Sequence, residues 1–149
     1  MRIAIGADHG GFELKEKLIT YLKNNKHVVK DCGSYTSSSV DYPSYGFTVA
    51  RLVASKEYDR GILLCKTGIG MSIVANKVKG IRAALCLSQK MAISSRQHNC
   101  ANVLVLPASY VETTTAFDIV SKWLETNCEG GRHKRRIDAI ENYEENNNG

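Results

Sequence analysis

The chain has 149 residues, of which 43% are hydrophobic and 23% charged, and a net charge of +5. That is the profile of one globular domain that buries roughly two-thirds of its unfolded surface. It excludes a membrane-spanning helix, because no apolar run approaches the ~20 residues that crossing a bilayer requires.

The stretch Met1-Arg2-Ile3-Ala4-Ile5-Gly6 lacks the apolar core and small-residue cleavage site of a signal peptide. The five cysteines (Cys32, Cys65, Cys86, Cys100 and Cys128) are odd in number and widely spaced, with no Cys-x-x-Cys pair. This argues against a disulfide framework and against a structural zinc site, and makes a reduced, cytoplasmic setting the expectation.

In chain order, strand-like and helix-like segments alternate. Residues 2–6 are a short apolar run stopped by Gly6, and Asp8-His9-Gly10-Gly11 follows. Over 12–24, Leu14, Leu18, Tyr21 and Leu22 recur at helical spacing with charges opposite, predicting an amphipathic helix. Residues 27–31 read as a second strand, and a polar loop leads to Pro43, which suits the first turn of a helix over 45–56. Three further strands are expected at 61–65, 81–86 and 103–106, with helices at 70–77, 89–98 and 113–125. A last helix runs from about Arg132 to Glu145, before a frayed Asn-rich end.

Such an alternation, with nearly continuous apolar strands, implies a parallel sheet covered by helices on both faces. The expected fold is therefore a single α/β domain over 1–149, a doubly wound, Rossmann-like or flavodoxin-like sheet of five strands plus a C-terminal helix. Ligands in such folds sit beyond the carboxyl ends of the strands, which is where Asp8, Cys65 and Ser88 fall. Gly6-Ala7-Asp8-His9-Gly10-Gly11 lacks the spacing of a dinucleotide fingerprint.

The most informative stretch is Cys65-Lys66-Thr67-Gly68-Ile69-Gly70-Met71-Ser72. A strand delivers a thiol to a glycine turn, and the N–H groups of the next helix start have no partner of their own. Those groups and the helix dipole hold an anion and favour thiolate over thiol. The run Arg132-His133-Lys134-Arg135-Arg136 after Gly130-Gly131 reads as a nucleic-acid patch, a small-phosphate site or a solvated helix face. Taken singly, Asp8 caps a helix, His98 satisfies a helix end, and Cys65, Cys86, Cys32, Cys100 and Cys128 are small buried hydrophobes. Taken jointly, a cysteine, two histidines, an aspartate and an anion-holding loop make a candidate site.

The motifs resemble one family over essentially the whole chain. They are Asp8-His9-Gly10-Gly11, Val40-Asp41-Tyr42-Pro43, Gly68-Ile69-Gly70-Met71-Ser72-Ile73 with Ala75-Asn76-Lys77, Gly80-Ile81-Arg82-Ala83-Ala84, Ser95-Arg96-Gln97-His98-Asn99 with Ala101-Asn102, and Gly130-Gly131-Arg132-His133. Together they are similar to type B ribose-5-phosphate isomerase, a family that includes the subunits of galactose-6-phosphate isomerase. The resemblance implies aldose–ketose isomerisation of a sugar phosphate without metal or organic cofactor. It also implies a homodimer, or a pair of dimers, with active sites at the subunit interface.

By that resemblance His98 opens the sugar ring while Asp8 orients hydroxyls, and Cys65 moves a proton between C2 and C1 through a cis-enediolate. Thr67 would hydrogen-bond the thiol or the moving proton, and N–H groups around Gly68, Ile69 and Gly70 would cover the oxyanion. His9, Arg132 and Arg136 would hold the phosphate, the two arginines being an i, i+4 pair on one helical face. Tyr42, Ser72 and Asn99 complete the expected substrate-binding set. Two residues depart from the family pattern: Lys66 stands where glycine is usual, and Ser109 where relatives commonly carry arginine.

Three alternatives compete. A six-carbon phosphosugar, galactose 6-phosphate or allose 6-phosphate, would use the same residue types. A non-catalytic phosphate-binding module, or a nucleic-acid patch, is disfavoured because the basic run lacks interleaved aromatics and Glu141, Glu144 and Glu145 follow it. A cysteine phosphatase would want an arginine six residues beyond Cys65, and none occurs before Arg82.

Overall fold

A computed structural model describes residues 1–147. Five parallel strands, β1 (Arg2–Ala7), β2 (Val28–Asp31), β3 (Arg60–Cys65), β4 (Ala83–Leu85) and β5 (Val103–Pro107), form one sheet in the order β2-β1-β3-β5-β4. Six helices accompany them: α1 (Phe12–Asn24), α2 (Tyr42–Ala54), α3 (Ile69–Asn76), α4 (Gln89–Asn99), α5 (Thr113–Glu125) and α6 (Arg132–Asn146). The expected doubly wound α/β architecture is thus the observed one.

Strand alternation builds two cores from the same runs. Ile3, Ile5, Ile62, Leu64, Leu104 and Leu106 point to one face, where Leu14, Leu18 and Leu22 of α1 and Ile119 and Trp123 of α5 cover them. Ala4, Leu63, Val103 and Val105 point to the other, against Val49 and Val53 of α2 and Met71 and Ala75 of α3. Each fully buried leucine contributes about 1.5–3 kcal/mol, so removing either helix layer would expose a whole sheet face.

Several element ends differ from expectation for local reasons. Helix α2 starts at Tyr42, with Pro43 already inside its first turn, since proline there sacrifices no helical hydrogen bond. Strand β4 is shorter than 81–86: the Ile81 N–H donates to the Val78 carbonyl, and the Arg82 N–H donates to Asn102 Oδ1 at 2.8 Å. Lys15 of α1, although charged, is fully buried, its Nζ 2.8 Å from Asp31 Oδ1 and 2.8 Å from Glu16 Oε1. The expected frayed end falls in part on Asn148 and Gly149, which lie outside the described residues.

One expectation is overturned. Cys100 and Cys128 form a disulfide, with Cα atoms 5.0 Å apart and a sequence separation of 28. Local spacing carries no sign of this pair. It arises because α4 ends on Cys100, with φ of 48°, just where the chain returns from α5.

Candidate active site

Strand β3 ends on Cys65, which is 5% exposed. Gly68 follows with φ of 73° as the N-cap of α3, and this left-handed turn aims its N–H at Cys65 Sγ, 3.2 Å away. Thr67 Oγ1 accepts the Ile69 N–H at 3.2 Å. Thr67 therefore caps the loop, and the thiol's protein donor is Gly68. Among the described residues, no protein acceptor takes the Gly70 or Met71 N–H, so the first turn of α3 presents open donors. Ser72 begins the helical ladder, its N–H donating to the Gly68 carbonyl at 3.0 Å. Tyr42 lies directly over Gly70, where an added Cβ would stand 2.7 Å from the ring.

The loop after β1 adds two groups at the same edge. Asp8 is 7% exposed and folds back on its own turn, Oδ1 accepting the Gly10 N–H at 2.9 Å; it does not cap α1, whose N-cap is Gly11. His9 Nδ1 accepts the Val40 N–H at 3.2 Å, so the loop between β2 and α2 fixes the ring. Lys66 lays its side chain across Gly10, and its carbonyl accepts the Ser109 N–H at 3.0 Å. The two departures from the family pattern are therefore neighbours. Lys66 is absent from the non-glycine residues with positive φ (Lys26, Lys56 and Cys100), so this loop conformation requires no glycine there.

His98, Asn99, Arg132 and Arg136 gather elsewhere. The rings of His98 and His133 stack at 4.4 Å and 13°, and His133 Nε2 is 3.5 Å from Glu129 Oε2. The Glu129 N–H donates to the Gln97 carbonyl at 3.0 Å, seating the start of α6 on the end of α4. Burial holds the His133 imidazole below its ordinary value, helped by the neighbouring charges of His98 and Arg132. Arg132 and Arg136 stay exposed on one side of α6. Ligand atoms of His98, Glu129 and His133 lie within 4.8 Å of one another, close enough to share a cation. His133 and Glu129 were absent from the expected site. The signal for His133 was its place beside Arg132, but which way it turns depends on packing.

These two groups stand at opposite edges of one sheet. The Arg82 Nε, just before β4, donates to the Asn99 carbonyl at 3.0 Å, and the Gly61 N–H at the start of β3 donates to the Asn102 carbonyl at 3.0 Å. The end of α4 therefore lies at the amino-terminal edge, while Cys65 closes the same strand at its carboxyl end. From Gly61 to Cys65 is about 13 Å at roughly 3.3 Å per residue. Within one chain, the thiol and His98 do not meet.

Comparison with known proteins gives the family. The Ribose/Galactose Isomerase family model matches residues 3–140. The chain is 45% identical over 147 residues to ribose-5-phosphate isomerase B of Escherichia coli, covering 99% of each chain. The solved ribose-5-phosphate isomerase B of Clostridium thermocellum superposes with a TM-score of 0.96 at 48% identity, covering 98% of this chain and 99% of that one. The Mycoplasma genitalium ribose-5-phosphate isomerase B with bound ribulose 5-phosphate superposes with a TM-score of 0.93 at 44% identity, covering 97% and 96%. The chain belongs to the Ribose/Galactose Isomerase family, the family of the type B ribose-5-phosphate isomerases.

Proposed function

We propose that this protein interconverts ribose 5-phosphate and ribulose 5-phosphate, with Cys65 as the proton-transfer base. The observation that carries the reading is the Cys65 thiol at the end of β3, receiving the Gly68 N–H and facing the open donors of α3. An enediolate needs a base near C1 and C2 and hydrogen-bond donors where charge develops, and one loop offers both. The relative from Mycoplasma genitalium with bound ribulose 5-phosphate supports the choice of sugar.

Isomerisation runs in two stages. A cyclic aldose phosphate first opens by proton transfer between its anomeric hydroxyl and ring oxygen, assigned to His98, with Asp8 orienting hydroxyls. Cys65 then removes the C2 proton and returns it to C1 while the O2 hydroxyl proton passes to O1 across the cis-enediolate, and the N–H groups of Gly68, Ile69 and Gly70 and the side chains of Tyr42, Ser72 and Asn99 hold the reacting end. Cys65 makes no covalent bond to the sugar in this scheme. His9, Arg132 and Arg136 bind the phosphate, and Lys66 supplies a cation beside Ser109, where relatives place arginine.

His98, Asn99, Arg132 and Arg136 come from a second copy of the chain in this scheme, because each chain carries its two half-sites at opposite sheet edges. Apolar residues exposed around the thiol end, Ile69 at 57% and Ile73 at 56%, favour burial against another subunit. A cytoplasmic setting is part of this proposed reading, and no helix among the described residues is long and apolar enough to cross a membrane.

The test is turnover of ribose 5-phosphate by purified protein, beside galactose 6-phosphate and allose 6-phosphate. Cys65→Ala is expected to lower kcat by about 10²–10⁴-fold, the usual share of a positioned acid–base group. Undiminished activity in that variant refutes the mechanism, and faster six-carbon turnover reassigns the substrate.

A further inference from the structure

The amino-terminal edge of the sheet holds a cavity of about 360 Å³ that the isomerase reading does not use. Arg2, Lys56, Arg60, Arg82 and Arg96 line it, with Asp59 as its one acidic group. None of His98, Arg132 or Arg136 belongs to it. We propose that this cavity is a second anion site, built for a small multivalent phosphate, at the sheet edge opposite Cys65.

The charge balance is the first argument. Arg2 is matched by Asp59, Nη2 to Oδ1 at 3.0 Å, and Arg82 by Glu141, Nη1 to Oε1 at 3.1 Å. Arg60 and Arg96 form no ion pair with any described residue. Arg96 is 3% exposed and gives its hydrogen bonds to the carbonyls of Thr126 and Ala101, at 3.1 and 2.7 Å. Carbonyls satisfy donors but leave the positive charge uncompensated, and burying such a charge unpaired is costly.

An orphaned donor is the second. Arg60 gives Nη1 to the Asp59 carbonyl at 2.9 Å, yet its Nε is buried with no hydrogen-bond partner among the described residues. Buried donors are almost always satisfied, so Arg60 is a cation of the cavity wall whose burial is left uncompensated. The electrostatics agree: burial, with the charges of Arg60 and Arg82, pushes the Arg96 guanidinium down to about 10, and burial lowers Arg60 as well. A multivalent oxyanion would supply the missing negative charge, and guanidinium forks suit phosphate geometry.

Inorganic pyrophosphate titrated into the whole ¹⁵N-labelled protein, at constant ionic strength set with chloride, tests the site. Saturable amide shifts are expected at Tyr58, Asp59, Arg60, Gly61 and Asn102, separate from any at Gly68 and Ile69. Arg60→Gln is expected to weaken that binding about tenfold or more and Lys56→Gln by a few-fold, as loss of charged hydrogen bonds and of a nearby charge implies. Arg136→Gln should leave it unchanged. Shifts confined to the Cys65 loop and α6, or equal shifts with chloride alone, overturn the proposal. Shifts at residues 58–61 that neither Arg60→Gln nor Lys56→Gln weakens overturn it too. Lys56 is exposed, so its variant decides the matter should Arg60→Gln fail to fold.

Discussion

The imidazole of His133 illustrates how one side chain reports on its surroundings. Burial, then the nearby charges of His98 and Arg132, hold it below its ordinary value, while Glu129 at 3.5 Å pulls the other way. A histidine with a depressed folded value binds fewer protons folded than unfolded. Its neutral form costs nothing above the unfolded value of about 6.5, and stability falls as pH drops through it. Thermal melts at about pH 7.5 and 5.5 should therefore show a loss of stability in the wild type that shrinks in His133→Asn. Parallel losses in the two proteins would disprove the burial account. Cys86 is the contrasting case: burial pushes its thiol up to about 11, so it stays neutral and packs as the small hydrophobe its sequence position suggests.

Among the elements, the turn joining β3 to α3 carries a tight backbone requirement. Gly68 has φ of 73°, and an added Cβ would crowd Leu85 and stand 3.3 Å from Val105 Cγ1. Gly80 has a similar φ of 84° but open space around its Cα. Gly80→Ala should therefore cost about 1 kcal/mol of backbone strain alone. Gly68→Ala should cost about 2–4 kcal/mol by adding overpacking to strain, and should cut kcat as the Gly68 N–H leaves the thiol. Denaturant unfolding of both variants beside their kcat values checks this; equal costs would show that the clash is relieved without effort. The bounds of α1 and α5 agree with the periodicity because each helix carries its own apolar stripe. Strand β4 was overestimated because Asn102, 20 residues from Arg82, captures the amide that would have extended the ladder.

At the scale of the whole molecule, the residues of the proposed site fall into two groups at opposite ends of the sheet strands. If Cys65 of one subunit works with His98 of another, neither Cys65→Ala nor His98→Asn alone should isomerise. A refolded mixture of the two should recover activity, because a mixed dimer then holds one site with both native residues. Random pairing of equal amounts gives about a quarter of the wild-type sites. A mixture as inactive as its parents would place both residues in one chain's site and refute the shared arrangement.

What the amino-acid sequence determined by itself was the alternation of elements, the parallel doubly wound sheet and the thiol at a strand end. These follow from local periodicity, glycine placement and the rule that ligands sit beyond strand ends. Only the tertiary structure decided which candidate residues share an edge. It placed His98 with His133 and Glu129, away from Cys65, and joined Cys100 to Cys128. It also collected the arginines of four separate segments around one cavity. Each of these depends on how distant segments return to the same place, and residue spacing along a chain holds no record of that.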